Sequence, residues 1–307
     1  MTNTNDITEL QAKPEMVRLI WARDKTYQAA KHTQGWFVFW TAAVPVIGAL
    51  ASGLWPGLKP ALALISLLLL FLDVGLIDRL QKERLKRGAK LQEEFDTKAF
   101  GLPWNKFVAG DKVLPEDVTE AASAAMPAKR QKEIETWYEN SVSRVPLAYG
   151  RLVCQRTNIS YDSRLRRRYG NGLFGVTLVI AIIVLIAGVL LDPNFTDAIL
   201  SLAMVSPMLS WALREHRKQL DTCNSLQNLQ SEFKTVWTKA LEGASDEELK
   251  VGSRQLQDAI YQHRASAPLV FDWVYYRMRS KNEREAHAAA EEFVKQAEEA
   301  LGARSAA

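Results

Sequence analysis

One short segment concentrates side chains that can recognise a phosphate and a planar base. Arg151, Gln155, Arg156 and Asn158 lie close together in a stretch that is predicted to be helical. Guanidinium groups donate paired, charge-assisted hydrogen bonds to phosphate oxygens, and amide side chains can pair with the edges of bases. On a helix these side chains occupy overlapping faces, so the pattern favours an anion-binding or base-binding surface.

A run of arginines follows in the same predicted helix and allows two interpretations. Arg164, Arg166, Arg167 and Arg168 can be flanking charges that orient an apolar segment and attract anionic lipid. They can also contribute to an anion site. Both interpretations stay open, and Arg164 is kept as a candidate ligand-binding residue.

Motifs that would indicate catalysis are missing from the sequence. The segment from Gly170 to Gly175 matches GxGxxG, but a dinucleotide fingerprint needs a preceding strand, and here an arginine-rich helix precedes it. The histidines are scattered, and Cys154 and Cys223 form no CxxC pair, which argues against a metal site. We therefore predict that the chain is not an enzyme and binds no metal or cofactor.

Four apolar stretches must position these side chains. They cover residues 33–58, 60–77, 169–191 and 193–213, and the second and fourth carry one acid each, Asp73 and Asp197. A helix needs roughly 20 mostly apolar residues to cross a bilayer. The stretches predict four transmembrane helices in two hairpins.

The flanking charges predict the orientation of these helices. Lysine and arginine gather at the ends opposite the short turns, which places the N-terminus, the middle segment and the C-terminus in the cytoplasm. Asp73 is the one acid well inside a predicted span. It is either a pore or partner contact, as intramembrane carboxylates often are, or an interfacial residue.

The remaining segments indicate helices on the cytoplasmic side. Gly101 and Pro103 should end one helix, and Ser245 begins another with a capping-box sequence. The predicted fold is an all-α integral membrane protein with a helical cytoplasmic domain. Its parts are an N-terminal helix (1–34), transmembrane hairpin 1 (35–78), a middle helical segment (79–170), transmembrane hairpin 2 (171–213) and C-terminal helices (214–307).

Several motifs resemble one known family. The segment from Leu91 to Thr97, followed by Gly101-Leu102-Pro103-Trp104-Asn105, is similar to a signature of the SMODS-associating four-transmembrane effectors. Trp137-Tyr138 and the block from Arg151 to Asn158 resemble further parts of that signature. The resemblance extends over about residues 10 to 280.

The resemblance implies a role in bacterial cyclic-oligonucleotide antiphage signalling. Such an effector binds a cyclic di- or trinucleotide made during infection, rather than a DNA or RNA polymer. It then permeabilises the inner membrane as a homo-oligomer, so that growth stops or the cell dies. Within this family, the expected partners of the chain are the lipid bilayer, the cyclic nucleotide and further copies of itself, at a multi-pass inner-membrane location.

A receptor for such a ligand needs arginines for phosphate and flat side chains for stacking. We therefore expect part of one set to form the pocket: Trp104, Asn105, Trp137, Tyr138, Arg151, Gln155, Arg156, Asn158 and Arg164. A purely structural role for each of these residues stays open as an alternative.

Long helices suggest how binding would be transmitted. The second and fourth apolar stretches should continue into cytoplasmic helices, so a ligand that shifts those helices would tilt the apolar segments. Two other functions remain open: a constitutive or ion-gated channel like the bestrophins, and a non-catalytic membrane scaffold.

Overall fold

The computed structural model describes residues 5–72, 78–191 and 195–306, and the regular structure in these ranges is helical. The prediction of an all-α chain is therefore confirmed. In chain order the helices are α1 (Ile7–Gln11), α2 (Pro14–Leu54), α3 (Lys59–Leu72), α4 (Asp78–Phe100), α5 (Lys106–Ala109), α6 (Pro115–Ala121), α7 (Ala128–Glu135), α8 (Leu147–Leu191), α9 (Phe195–Glu242), α10 (Asp246–Ser266) and α11 (Asp272–Ala306). Short 3-10 turns cover Pro56–Leu58 and Asn140–Arg144.

Local sequence signals account for several helix ends. Gly101, just after α4, adopts φ +61°, a left-handed conformation that glycine tolerates best. The side chain of Ser245 accepts a hydrogen bond from the backbone N–H of Glu248, and the carboxylate of Glu248 accepts one from the backbone N–H of Ser245, so the predicted capping box is present. Between these two positions, α7 ends at Glu135, and a 3-10 turn begins at Asn140.

The charged parts of the chain form what we call the core domain, residues 5–34, 79–170 and 214–306. Here the first half of α2 packs with α4, α8, α9, α10 and α11 around a common hydrophobic centre. Phe95, Phe100, Leu152 and Leu226 are among its fully buried side chains. Arg304, near the end of α11, donates to the carbonyls of Ala240 and Leu241 and so caps the carboxyl end of α9.

The remaining described residues, 35–72, 171–191 and 195–213, form the apolar end. It consists of the second half of α2, α3, the second half of α8 and the first half of α9, with α3 and α8 both packed on α9. Ala63, Met204 and Met208 are buried between these helices. Gly48 lets α2 approach α9, because a Cβ atom there would lie 2.7 Å from the sulfur of Met204.

The outer faces of the apolar end are largely uncovered. Phe71 is 73% exposed and Trp55 is 62% exposed, and many branched side chains of α3, α8 and α9 are also open. In the core domain, by contrast, large apolar side chains are mostly buried.

The prediction of four transmembrane helices is wrong. Among the residues that the structure describes, no helix combines the length and the apolarity that a bilayer crossing requires. Within the described residues α3 covers 14 residues, or about 21 Å, against a hydrocarbon core of about 30 Å. The helices α2, α8 and α9 are longer, but each joins its apolar stretch to a charged one.

Candidate functional site

The helix α8 presents its four candidate side chains on two faces. Arg151, Gln155 and Asn158 follow a four-plus-three spacing and contact α4, α10 and the segment between α7 and α8. Arg156 points away from them, toward α9 and α11. The overlapping faces predicted from the sequence therefore resolve into two separate environments.

Gln155 is a buried cross-link between α8 and α10. Its amide nitrogen donates to the carbonyl of Ser253 (2.8 Å) and to Oε1 of Gln257 (3.1 Å). Its own oxygen accepts from the hydroxyl of Ser253 (2.9 Å). Because these bonds satisfy the amide, Gln155 is better suited to holding two helices together than to reading a ligand.

Two buried carboxylates of α4, Glu93 and Asp96, lie beside this cross-link. They are 1% and 0% exposed, and Gln257 bridges them by donating to Glu93 (2.7 Å) and to Asp96 (3.1 Å). Buried carboxylates are costly unless they are paired and hydrogen-bonded.

Two arginines of α10 supply the opposite charge. Arg254 donates to Glu93 (2.7 Å), and Arg264 donates to Asp96 (2.5 Å). Burial raises the pKa of Glu93 to about 7, although the hydrogen bonds from Arg254 and Gln257 act in the other direction. Burial opposes the charge of Arg264, but the neighbouring Asp96 outweighs it and raises the pKa of that guanidinium.

Tyr138 and Asn158 extend the same network. The hydroxyl of Tyr138 donates to Asp96 (2.6 Å) and accepts from the amide of Asn158 (3.0 Å). Gln11 pairs with the backbone N–H and carbonyl of Tyr138, which fixes its position. Burial, and then the charge of Asp96, raise the pKa of Tyr138 well above its usual value, so the phenol stays protonated as a donor. We name this set of buried groups from α4, α8, α10 and Tyr138 the polar network.

Arg151 lies at the edge of the core domain's interior and is only 4% exposed. Its Nε donates to the carbonyl of Phe100 (2.9 Å), the last residue of α4, whereas its buried Nη1 has no acceptor in the described ranges. Burial lowers its pKa to about 10, despite an opposing contribution from Asp246, so the side chain remains a cation at neutral pH. A cation at the carboxyl end of a helix is stabilising, which fits a structural role.

Arg156 has a less compensated charge than Arg151. Its guanidinium lies 5.8 Å from the ring centroids of both Phe233 and Phe293. Its Nη1 is buried and has no hydrogen-bond partner among the described residues. Burial lowers the pKa of Arg156. The aromatic faces offset part of the cost of burying this charge, and an anion would offset more of it.

Trp104 and Asn105 form the turn between α4 and α5. The indole N–H of Trp104 donates to the carbonyl of Gly110 (2.8 Å). Asn105 caps α5 through the N–H of Phe107 and donates to Asp258 of α10 (2.8 Å). Asp258 in turn accepts from Arg254, which connects the turn to the polar network.

Trp137 is a half-buried platform already occupied by cations. The guanidinium carbons of Arg23 and Arg130 lie 4.8 Å and 5.6 Å from its ring centroid. Asp24 accepts hydrogen bonds from both arginines, at 2.6 Å and 2.9 Å. The ring therefore packs against a salt-bridged cluster of its own chain.

The structure thus brings together part of the predicted set. Tyr138, Gln155 and Asn158 belong to the polar network, and Asn105 is connected to it through Asp258. Arg151, Arg156 and Trp137 lie in three other environments. Asp73 lies outside the described residues, as does the side chain of Arg164.

The sequence reasoning missed the charged centre of the network. Glu93 and Asp96 enter the sequence analysis only within the family resemblance. On a helix both lie off the face formed by Leu91, Phe95 and Ala99, so helical periodicity does not indicate that they are buried. Their partners Arg254 and Arg264 lie more than 160 residues away in sequence, and no local pattern points to them.

Comparisons with known proteins agree on one group. Residues 5–293 match the family described as SMODS-associating 4TM effector domain. The chain is also 24% identical over 212 residues to a Bacillus cereus (strain VD146) protein named a probable CBASS effector molecule, which covers 67% of this chain and 69% of that protein. No solved structure matches the chain.

Proposed function

Because the chain belongs to the SMODS-associating 4TM effector family, we propose that it is a CBASS effector, which binds a cyclic di- or trinucleotide and then damages the bacterial inner membrane. The name of the Bacillus cereus relative supports the first part of this proposal. The proposed ligand rests on the surroundings of Arg156, and the proposed membrane target rests on the apolar end.

The surroundings of Arg156 are the observation on which the ligand proposal rests. A half-buried guanidinium between two phenylalanine rings, with a nitrogen that no described group accepts from, suits a phosphate oxygen. Gln155 and Asn158 donate their hydrogen bonds to their own chain. Arg151 also has a nitrogen without a described acceptor, but its Nε donates to Phe100 and no aromatic ring is described beside it. In this proposal Arg156 contacts the ligand, and the polar network holds α8 in position.

The apolar end supports the membrane as the target. Contiguous exposed apolar surface on a protein marks a site of interaction, and bilayer lipid suits a surface made of leucine, isoleucine and aromatic side chains. Trp36, Phe39 and Trp55 contribute amphipathic or aromatic rings, which favour the interface between lipid and water. We place the protein at the cytoplasmic side of the inner membrane, where a cyclic nucleotide can reach Arg156.

Calorimetric titration tests the ligand. The full chain is titrated with a panel of cyclic di- and trinucleotides, and at least one should bind. Arg156→Ala should weaken that binding by about 10-fold or more, since a hydrogen bond to a charged group contributes about 1.5–3 kcal/mol. Arg144→Ala is the matched control, because Arg144 is an exposed arginine already paired with Glu291 and Glu298. Equal affinity of wild type and Arg156→Ala would exclude this site.

Dye-filled liposomes test the membrane target separately. Protein added with the nucleotide identified by calorimetry should release dye, and protein without nucleotide should release much less. Arg156→Ala with the same nucleotide serves as the control for ligand dependence. Nucleotide binding without any release of dye would support the ligand proposal and reject the membrane as the target.

A further inference from the structure

One hydrophobic cluster marks the junction at which the core domain meets the apolar end. Phe37 of α2 and Trp211 of α9 are buried in it. Leu173 of α8 and Phe271, which precedes α11, pack against them. This cluster therefore provides a reference level on four parts of the chain.

The helix α4 begins beside the same junction. Arg84 donates to the carbonyl of Ala29 of α2 (3.0 Å), and a Cβ atom on Gly88 would lie 2.7 Å from the ring of Tyr27. The two helices are therefore antiparallel. Arg79, which precedes Arg84 on α4, lies about 7.5 Å nearer the apolar end, because an α-helix rises 1.5 Å per residue.

Exposed cations from three helices lie within about two helical turns of the junction. We call them the cation band: Arg79, Lys82 and Lys86 of α4, Arg167 of α8 and Arg217 of α9. Among the acids whose side chains the structure describes at this level, Glu215 is buried. Glu83 is paired with Arg79 (3.3 Å), and Asp272 is paired with Lys31 (2.5 Å). The surface at the junction therefore carries an excess of positive charge.

The arginine run of α8 contributes part of its charge to this surface. Arg166 is buried and donates to Oε1 of Gln219 (3.2 Å) and to the carbonyl of Pro268 (2.7 Å), so it fixes α8 against its neighbours. Arg167 is exposed. Of these two arginines, Arg167 is the one that can reach a ligand outside the protein.

Aromatic rings lie at the same level on α2. Trp36, Phe39 and Trp40 are between 47% and 56% exposed and pack edge to face along the helix. The indole N–H of Trp36 donates to His32 (3.2 Å), which holds the ring at the surface. The order along the molecule is therefore cations, aromatic rings and then the aliphatic side chains of the apolar end. Phosphate groups, the interfacial layer and hydrocarbon follow the same order in one leaflet of a bilayer.

We propose that the cation band docks on the phosphate groups of anionic phospholipids, so that membrane binding requires lipids of this class. The contact rests on the proposed membrane target and adds the class of lipid to it. Each lysine or arginine near an anionic surface strengthens binding by about 5-fold, and salt screens this attraction. A nucleic-acid polymer is also anionic, but it offers no apolar phase to the rings and aliphatic side chains beside the band.

Vesicle flotation of the full chain, without nucleotide, tests the lipid class. Vesicles of phosphatidylcholine are compared with vesicles in which part of that lipid is replaced by phosphatidylglycerol. Wild type should bind the anionic vesicles about 10-fold or more tightly, and this preference should shrink as salt is added. Equal binding to both kinds of vesicle would overturn the proposal and keep the membrane target. Binding to neither would reject both.

A triple variant removes one exposed cation from each helix of the band: Lys86→Gln, Arg167→Gln and Arg217→Gln. Its binding to anionic vesicles should be about 10-fold to 100-fold weaker than that of wild type. Circular dichroism verifies that the variant is folded. Lys86→Gln alone should show a smaller loss in the same direction, and unchanged binding of the triple variant would overturn the proposal.

A second triple variant with the same change in net charge is the matched control. It replaces exposed lysines of α7, α10 and α11 that lie away from the junction: Lys129→Gln, Lys250→Gln and Lys295→Gln. It should bind anionic vesicles as wild type does. Similar losses in both triple variants would mean that net charge alone acts, which would overturn the proposal. Displacement of vesicles by duplex DNA from wild type would assign the band to nucleic acid instead.

Discussion

The core domain and the apolar end bury their side chains in opposite ways. In the core domain even carboxylates are enclosed and paired, as Glu93 and Asp96 are with arginines of α10. In the apolar end, many large aromatic and aliphatic side chains are left open, while the interior is filled by small residues, methionines and the two aromatic residues Phe37 and Trp211. The first arrangement stabilises a defined fold by itself. The second leaves a surface that needs a partner, and for that reason the two regions should respond differently to the same substitutions.

The largest difference is expected for two phenylalanines. Phe95 of the core domain is fully buried, and Phe71 of the apolar end is 73% exposed. Phe95→Ala should lower the free energy of unfolding by about 3–5 kcal/mol, because it leaves a cavity. Phe71→Ala should change it by less than about 0.5 kcal/mol but reduce liposome leakage. Urea denaturation measures the first effect, and similar losses for both variants would contradict the contrast between the regions.

The polar network provides the next test. Asp96→Ala removes the partner of the buried Arg264 and should cost about 3–5 kcal/mol of folding free energy. Asp111→Asn breaks a fully exposed ion pair and should leave stability unchanged. Both are compared with wild type by urea denaturation. A mild effect of Asp96→Ala would mean that the network is not essential to the core domain.

Glu93 should make stability depend on pH. Its folded-state pKa of about 7 lies above the ordinary value of 4.5, so the folded protein binds a proton more tightly than the unfolded chain. Glu93 therefore favours folding most at low pH, and that contribution is lost as pH rises from about 4.5 to 7, by about 3 kcal/mol in total. Glu93→Gln should flatten this slope. Denaturation curves across that pH range measure it, and an unchanged slope would rule Glu93 out as its source.

The smallest difference between two compared variants is expected for the arginines Arg156 and Arg151 of α8. Arg156→Met removes a buried charge that lacks a described acceptor, so the free energy of unfolding should stay within about 1 kcal/mol of wild type or rise. Arg151→Met should be destabilising by about 1–3 kcal/mol, because the carbonyl of Phe100 loses its donor. Thermal unfolding of the two variants side by side checks the order. The reverse order would indicate that Arg156 is structural.

Local signals in the sequence predicted much of the helical framework. The stop at Gly101 and the capping box at Ser245 depend on neighbouring residues and appear as expected. The transmembrane helices were wrong because hydropathy counts apolar residues without regard to where each helix begins, ends or joins charged residues. Within the described residues, for example, α3 covers only the 14 residues from Lys59 to Leu72.

The candidate site was less predictable than the helices. Spacing placed Arg151, Gln155, Arg156 and Asn158 on one helix, but which face meets which neighbour depends on tertiary packing. The helices α9 and α11 bring phenylalanines to Arg156. Ser253 and Gln257, about 100 residues away in the sequence, satisfy the amide of Gln155.

The lengths of α8 and α9 give the molecule mechanical properties. α8 has 45 residues and no proline, so it is a stiff rod of about 67 Å that begins in the core domain and ends in the apolar end. A tilt of one degree about the level of Arg156 would displace its far end by about 1 Å. α9 is similar in length but contains Pro207, where a helical hydrogen bond is missing. A small rotation of α8 in the core domain would therefore move its far end by a larger distance. The helix α9 can bend at Pro207 within the apolar end and so accommodate that movement.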